Sequence, residues 1–167
     1  GLSNVLNIPF DRKNYLFKNW FDFNNSLYNI ELSKVQKNTS IKQSFSTVIG
    51  CEIDTEVYLQ AKNNIYLAGF SRYIEIYNKD FYDLKIDIKP GMIVCNPPYG
   101  KKLGDEANLI ELYLKIGSYL KNNFSGWEFW LLSGNPLLTK YLKMKASFKI
   151  PVSNGGIDCR WIKYSIR

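Results

Sequence analysis

Apolar and polar positions follow two rhythms along this chain, and the alternation between them predicts the order of its elements. Residues 47–53, Thr-Val-Ile-Gly-Cys-Glu-Ile, form a short apolar run of strand length. Val57, Tyr58, Ala61, Ile65 and Ala68 then recur at helical spacing, with Asp54 or Thr55 to cap the start and Gly69 to stop the end. A second strand is predicted at 73–77, ending at Asn78-Lys79-Asp80, and Lys89-Pro90-Gly91 turns the chain into a third at 92–95. Leu109, Leu112, Tyr113, Ile116 and Leu120 mark one face of a helix, which leads through Ser125-Gly126 into a strand beginning at Trp127. The last two strands, 145–152 and 157–166, flank Ser153-Asn154-Gly155-Gly156, a hairpin turn whose Asn and Gly residues tolerate positive φ. The opening is less regular. Aromatic residues crowd the first 28 positions without a period, and Ile30, Leu32, Val35 and Ile41 predict a weak amphipathic helix over 29–45.

Strand and helix alternate and a hairpin closes the series, which predicts an α/β fold with a mostly parallel sheet and an antiparallel pair at its end. With 167 residues, 46% of them hydrophobic, the chain is sized for one domain with its own core. No stretch reaches the roughly 20 apolar residues of a membrane span and the start lacks signal-peptide features, so a cytoplasmic protein with no membrane contact is expected. Cys51, Cys95 and Cys159 are far apart without a C-x-x-C pair, which suggests buried small hydrophobes rather than a disulfide framework or a zinc site, and no metal is expected. Trp127, Trp130 and Trp161 fall in predicted strands and read as core residues.

Charge and the absence of one residue type narrow the chemistry. The net charge of +7, from 22 Lys+Arg against 15 Asp+Glu, favours a polyanionic partner such as RNA, although the lysines are spread along the chain. There is no histidine, which removes Ser-His-Asp and Cys-His catalysis. Chemistry here has to run on position, hydrogen bonds and a bound reagent.

In an open α/β sheet, ligands gather beyond the carboxyl ends of the strands. Glu52 ends the first predicted strand and can accept the hydroxyls of a ribose; Asp80 follows the second and can accept an adenine amino group; Asn96 follows the third. Each also has a plainer use: Glu52 and Asp54 as helix caps, Asp80 as a turn residue. The third end continues as Asn96-Pro97-Pro98-Tyr99-Gly100. The Asn96 side-chain carbonyl and the Pro97 backbone carbonyl can accept the hydrogens of a planar amino group, whose nitrogen is a poor nucleophile until it is re-oriented. Tyr99 offers a face for a flipped or single-stranded base, a contact worth roughly 1–3 kcal/mol. The prolines restrict φ and remove their own backbone donors, though the same residues also suit a simple strand-ending turn.

Over residues 47–167 the sequence resembles S-adenosylmethionine-dependent amino methyltransferases, and more narrowly the catalytic domain of bacterial 23S rRNA guanine-N2 methyltransferases. The resemblance rests on Gly50-Cys51-Glu52-Ile53-Asp54, Ala61 through Ala68-Gly69, Asp80, and Asn96 through Tyr99 with its tail Gly100-Lys101-Lys102-Leu103-Gly104. Leu112-Tyr113, Gly117, Trp127, Ser133-Gly134-Asn135 and Asn154-Gly155-Gly156-Ile157-Asp158-Cys159 extend it. It implies a Rossmann-like class I sheet, S-adenosyl-L-methionine as cofactor, and cofactor contacts from Glu52, Ile53, Asp80 and Asn96. It further implies that Asn96, Pro97, Pro98 and Tyr99 form the catalytic loop, that Lys101 and Lys102 are candidates for RNA contact, and that an upstream THUMP-like domain accompanies the fold. The tetrapeptide alone fits adenine-N6 DNA and release-factor glutamine methyltransferases equally, and the basic tail and the Asn-Gly hairpin favour the rRNA group; an amino methyltransferase acting on DNA adenine, tRNA guanine or a glutamine amide is the alternative.

One feature departs from the family. Its members open with a strand and an acidic, glycine-rich loop against the methionine part of the cofactor, yet no glycine lies between Leu2 and Ile49. The expectation is a methyltransferase domain missing its first strand, with residues 1–46 a variable lead-in, and inactive by itself. A basic α/β module that binds RNA without catalysis stays open beside it. A dinucleotide enzyme is disfavoured because the chain has no G-x-G-x-x-G.

Overall fold

Asp54 sets the first well-defined boundary in the computed structural model, which describes residues 15–37, 48–86, 90–99 and 106–167. Its Oδ1 accepts the backbone N–H groups of Glu56 at 2.8 Å and Val57 at 3.0 Å, so the chain leaves strand β1 (Val48–Glu52) and enters helix α2 (Thr55–Leu67) within two residues. Helix α2 is preceded in the chain by α1 (Asn25–Lys37). Gly69, at φ +73°, ends the turn after α2 in the left-handed region open to glycine. The chain then returns as β2 (Ile74–Asn78), which pairs in parallel with β1 and sets Asn78 opposite Glu52.

These elements belong to a first compact unit, up to Leu84; a second begins at Lys85. In the first, α1 starts four residues before the position predicted, because Asn24 Oδ1 accepts the N–H of Leu27 at 2.9 Å and supplies a start signal ahead of the apolar spacing. The unpatterned aromatics before it form a local cluster: Phe17 sits in a 3-10 turn (Leu16–Asn19), with its ring 5.0 Å from Tyr15, 5.7 Å from Phe23 and 5.9 Å from Tyr28.

The second unit holds β3 (Met92–Cys95), α3 (Glu106–Asn123), β4 (Glu128–Ser133), β5 (Ala146–Asn154) and β6 (Ile157–Ser165), with sheet order β3-β4-β6-β5. β3 and β4 are parallel; β6 is antiparallel to both β4 and β5. The first four strands therefore pair in parallel and the hairpin is antiparallel, in line with the α/β class expected, although the ladders form two sheets instead of one. Among the described residues no strand precedes β1.

Register explains where the core of the second unit lies. Phe129 faces Tyr164 and Leu131 faces Ile162, so these four buried side chains share one face of the sheet. Tyr113, Ile116, Gly117 and Leu120, at helical spacing, are the buried positions of α3. A 3-10 turn (Leu138–Leu142), which the apolar pattern does not announce, adds Leu138 and Leu142 to the buried set.

Two expectations need correction. The three tryptophans are half-buried, outside the fully buried core: Trp127 precedes β4 and packs edge-on to Phe124, while Trp130 meets Phe148 edge-on with the Lys163 ammonium 5.9 Å from its ring. Of the three cysteines only Cys159 is buried; Cys51 and Cys95 are intermediate.

Burial pushes the Tyr164 hydroxyl up to about 12, opposed in part by its hydrogen bond with Thr139. A phenol that ionises later in the folded than in the unfolded chain stabilises the fold below pH about 10, and that contribution is lost as pH rises toward 12. An alkaline fall of about 1–2 kcal/mol is expected from this residue after allowance for solvent screening. Tyr164→Phe should flatten that part of the pH-stability curve, checked by denaturation between pH 9 and pH 12; an unchanged slope would remove Tyr164 as its source.

Candidate functional site

The loop after β3 opens onto a cavity of about 530 Å³, within the roughly 300–1,000 Å³ of small-molecule sites. Asn96, Pro97, Pro98 and Tyr99 form one side of it. Gly134, Asn135, Pro136 and Leu137, after β4, together with Ile157 at the start of β6, form the rest. An acceptor carbonyl, rigid prolines and an aromatic ring thus meet an apolar wall.

The far wall is built by local hydrogen bonds. Asn135 N donates to Ser133 Oγ at 3.2 Å, and Asn135 Oδ1 accepts from Leu137 N at 3.0 Å and Leu138 N at 3.3 Å. The chain therefore turns sharply off β4 and holds Leu137 at the cavity. Behind it, burial raises the Tyr113 hydroxyl above its ordinary range, and that hydroxyl meets no hydrogen-bond partner among the described residues.

Tyr99 is tied to the hairpin. Asn154 Nδ2 donates to its hydroxyl at 3.1 Å, and Cys159 Sγ lies 3.6 Å from the same oxygen. The contact with Cys159 holds the Tyr99 hydroxyl above the usual phenol range, with the Asn154 donor opposing. It therefore stays neutral near pH 7.

A second group of polar residues collects in the first unit, where β1 and β2 end side by side. Glu52 Oε1 accepts the N–H of Asp54 at 2.9 Å, which turns the carboxylate toward the strand end. Asn78 donates to the Glu52 carbonyl at 2.9 Å and the Ile53 carbonyl at 3.2 Å, while its own Oδ1 accepts from Thr55 Oγ1 at 3.0 Å. This amide staples the Glu52-Ile53 turn across the two strands and leaves the Ile53 side chain 67% exposed. Asp80 caps a 3-10 turn (Phe81–Asp83) through Tyr82 N at 3.2 Å, the plainer role foreseen for it. Burial, and then the nearby Asp80 and Glu52 carboxylates, push the Cys51 thiol up. Glu52 and Asp80 thus share one electronegative strand end.

Three site residues were not singled out from the sequence: Asn78 read only as a strand end, Leu137 carried no motif, and Ile157 appeared only as one member of the hairpin segment. The doubled acceptor need at the Glu52-Ile53 turn and the two-residue hairpin were the available clues. Lys101 and Lys102 lie outside the described residues. Among the described residues no group of three or more His, Cys, Asp or Glu is placed to hold a metal ion, and no helix is long and apolar enough to cross a membrane.

A model of the RMKL-like methyltransferase domain matches residues 6–163. The chain belongs to this family. A candidate RNA methyltransferase of Synechocystis sp. is 32% identical over 154 residues, covering 91% of this chain and 39% of that protein. A ribosomal RNA large subunit methyltransferase K/L of Shewanella pealeana is 27% identical over 157 residues, covering 93% of this chain and 22% of that protein. The chain therefore spans well under half the length of these relatives. Among solved structures, a possible methylase from Clostridium difficile 630 superposes with a TM-score of 0.76 at 22% identity, covering 93% of this chain and 41% of that one. A candidate methyltransferase, SMU.472, solved as a complex with SAH, gives 0.78 at 20% identity, covering 97% and 43%. These likenesses confirm the methyltransferase fold of the family.

Proposed function

We propose that this chain is part of an RNA methyltransferase that transfers a methyl group from S-adenosyl-L-methionine to the exocyclic N2 of a guanine, with large-subunit (23S) ribosomal RNA as the substrate. The observation that carries the reading is the cavity in which Asn96, Pro97 and Pro98 meet a Tyr99 ring fixed by the hairpin. Family membership and the names of the Synechocystis and Shewanella relatives support it.

The residues of the first unit fit the nucleoside part of such a cofactor. The Glu52 carboxylate has one oxygen engaged by Asp54 N and a second available to ribose hydroxyls, and exposed Ile53 offers an apolar surface to a base. Asp80 would accept an adenine amino group beside them, and Asn96 is the remaining residue assigned a cofactor contact. When bound, the cofactor supplies an electrophilic methyl, its C–S bond breaking as the C–N bond to the amine forms. The chain does the rest by position. The Asn96 side-chain carbonyl and the Pro97 carbonyl accept the two amine hydrogens and draw the lone pair out of conjugation. Tyr99 holds the base by its face. The product proton leaves to solvent, so no general base is required and orientation supplies most of the rate. Lys101 and Lys102 would contact phosphates, and an upstream THUMP-like domain in a cytoplasmic protein would add RNA affinity.

We infer also that the chain by itself is inactive, because no glycine between Leu2 and Ile49 can form the loop that receives the methionine part. Calorimetry tests both points. The chain is compared with a chimera carrying the glycine-rich strand and loop of a relative ahead of Gly1. Binding of S-adenosyl-L-methionine by the chimera alone is expected. Binding by neither would sink the cofactor roles of Glu52 and Asp80 and leave a non-catalytic RNA module. Mass spectrometry of methylated large-subunit rRNA then tests the acceptor; methyl on adenine N6 would overturn the guanine assignment.

A further inference from the structure

We propose that the β5–β6 hairpin is a positioning device for the Tyr99 ring, with Asn154 and Cys159 as holding points and Gly134 as the surface against which the ring is set. The inference rests on the reading of the Asn96–Tyr99 loop as an amine-acceptor site and names the residues that pre-set it.

The turn contains only Gly155 and Gly156, at φ +58° and +78°, positive at both positions as a tight two-residue hairpin requires. It pairs Asn154 with Ile157 and Val152 with Cys159. Because side chains alternate with a period of two, Asn154, Ile157 and Cys159 fall on one face. That face meets Tyr99: Asn154 and Cys159 at its hydroxyl, and Ile157 as a cavity wall beside it. A Cβ at Gly134 would lie 3.0 Å from Tyr99 Cε2, 3.1 Å from Ile157 Cγ2 and 3.2 Å from Cys159 Sγ. Glycine is what lets the ring edge, the isoleucine and the thiol converge there.

The tyrosine is thus held at its hydroxyl and along one edge before any ligand arrives. Its hydroxyl is engaged by the hairpin, so what it offers a base is its face. A ring already in place loses less freedom when a base stacks on it. Asn154 and Cys159 are positioning residues; they act through Tyr99.

The test uses the whole chain and 2-aminopurine riboside, a planar base with an exocyclic amino group whose fluorescence falls on stacking. Asn154→Ala is expected to weaken binding about fivefold, the worth of one hydrogen bond. Asn154 is exposed, so its loss leaves the fold intact. In a Tyr99→Phe background the same change should have almost no further effect, since the hydroxyl it holds is gone. An equal loss in both backgrounds, or none in either, would overturn the proposal. A ligand-free readout separates it from the functional reading: the Asn154 side-chain amide resonance should shift on Tyr99→Phe. A shift with no probe binding by the native chain would keep the positioning role and reject the acceptor site; an unmoved resonance would reject the positioning role.

Discussion

Asn96→Ala, made in the chimera that carries a glycine-rich strand and loop, is expected to lower methyl transfer by at least about 100-fold, or roughly 2.7 kcal/mol of transition-state stabilisation. The amine nitrogen attacks only when its hydrogens are held so that the lone pair points at the methyl. In the proposed mechanism the Asn96 side-chain carbonyl and the Pro97 backbone carbonyl each take one hydrogen, and the Pro97 carbonyl alone cannot hold both. The gain arises as the amine pyramidalises, so the loss belongs in kcat more than in KM. Affinity for S-adenosyl-L-methionine should change less than about twofold, because the proposed nucleoside contacts belong to Glu52 and Ile53 and uniform binding is untouched. Single-turnover kinetics beside calorimetry checks both. Turnover within a few-fold of the native rate would reject the amino-group mechanism; lost cofactor affinity would make Asn96 a cofactor ligand first.

Gly117→Ala is expected to cause the largest loss of stability. Gly117 is buried in α3, and a Cβ there would lie 2.2 Å from the Leu142 carbonyl oxygen and 2.8 Å from its carbon. Both are backbone atoms at the end of the 3-10 turn, where Lys143 is already in the left-handed region at φ +50° and Leu142 is fully buried. The neighbour cannot step aside as the tip of a flexible side chain could. Helix propensity alone would favour alanine by about 1 kcal/mol. Overpacking against main chain opposes it with about 3 kcal/mol or more, so a net destabilisation of roughly 2–4 kcal/mol should follow. Urea denaturation measures it directly. A gain in stability would mean that the turn can move away from α3 at little cost.

The readable part of the candidate site was the part made of neighbours in sequence. Asn96 through Tyr99 announced itself because prolines and an amide restrict one another within four residues, and Glu52 and Asp80 stood out by following apolar runs. The walls were silent. Leu137 is held at the cavity by the Asn135 caps, and Ile157 by the hairpin register; Leu137 has no motif, and the hairpin segment that contains Ile157 does not say which cavity it borders. Asp80 shows that one position can answer two local signals, since the cap it makes to Tyr82 N is the one turn chemistry suggests. The tryptophans misled for a related reason: a large apolar ring in a strand argues for burial, but exposure depends on what covers that face.

By itself the sequence determined most of the elements and several of their ends. The Asp54 cap, the Gly69 stop, the heptad-like face of α3 and the Gly155-Gly156 turn all follow from φ preferences and hydrogen bonds spanning a few residues. Tertiary structure alone decided which distant groups meet. It joins Tyr99 to Asn154 and Cys159, 55 and 60 positions away, sets Gly117 against Leu142, and divides the strands between two sheets. Local preferences are encoded in neighbouring residues, whereas these contacts depend on strand register and packing, which are settled only when whole faces exclude water together.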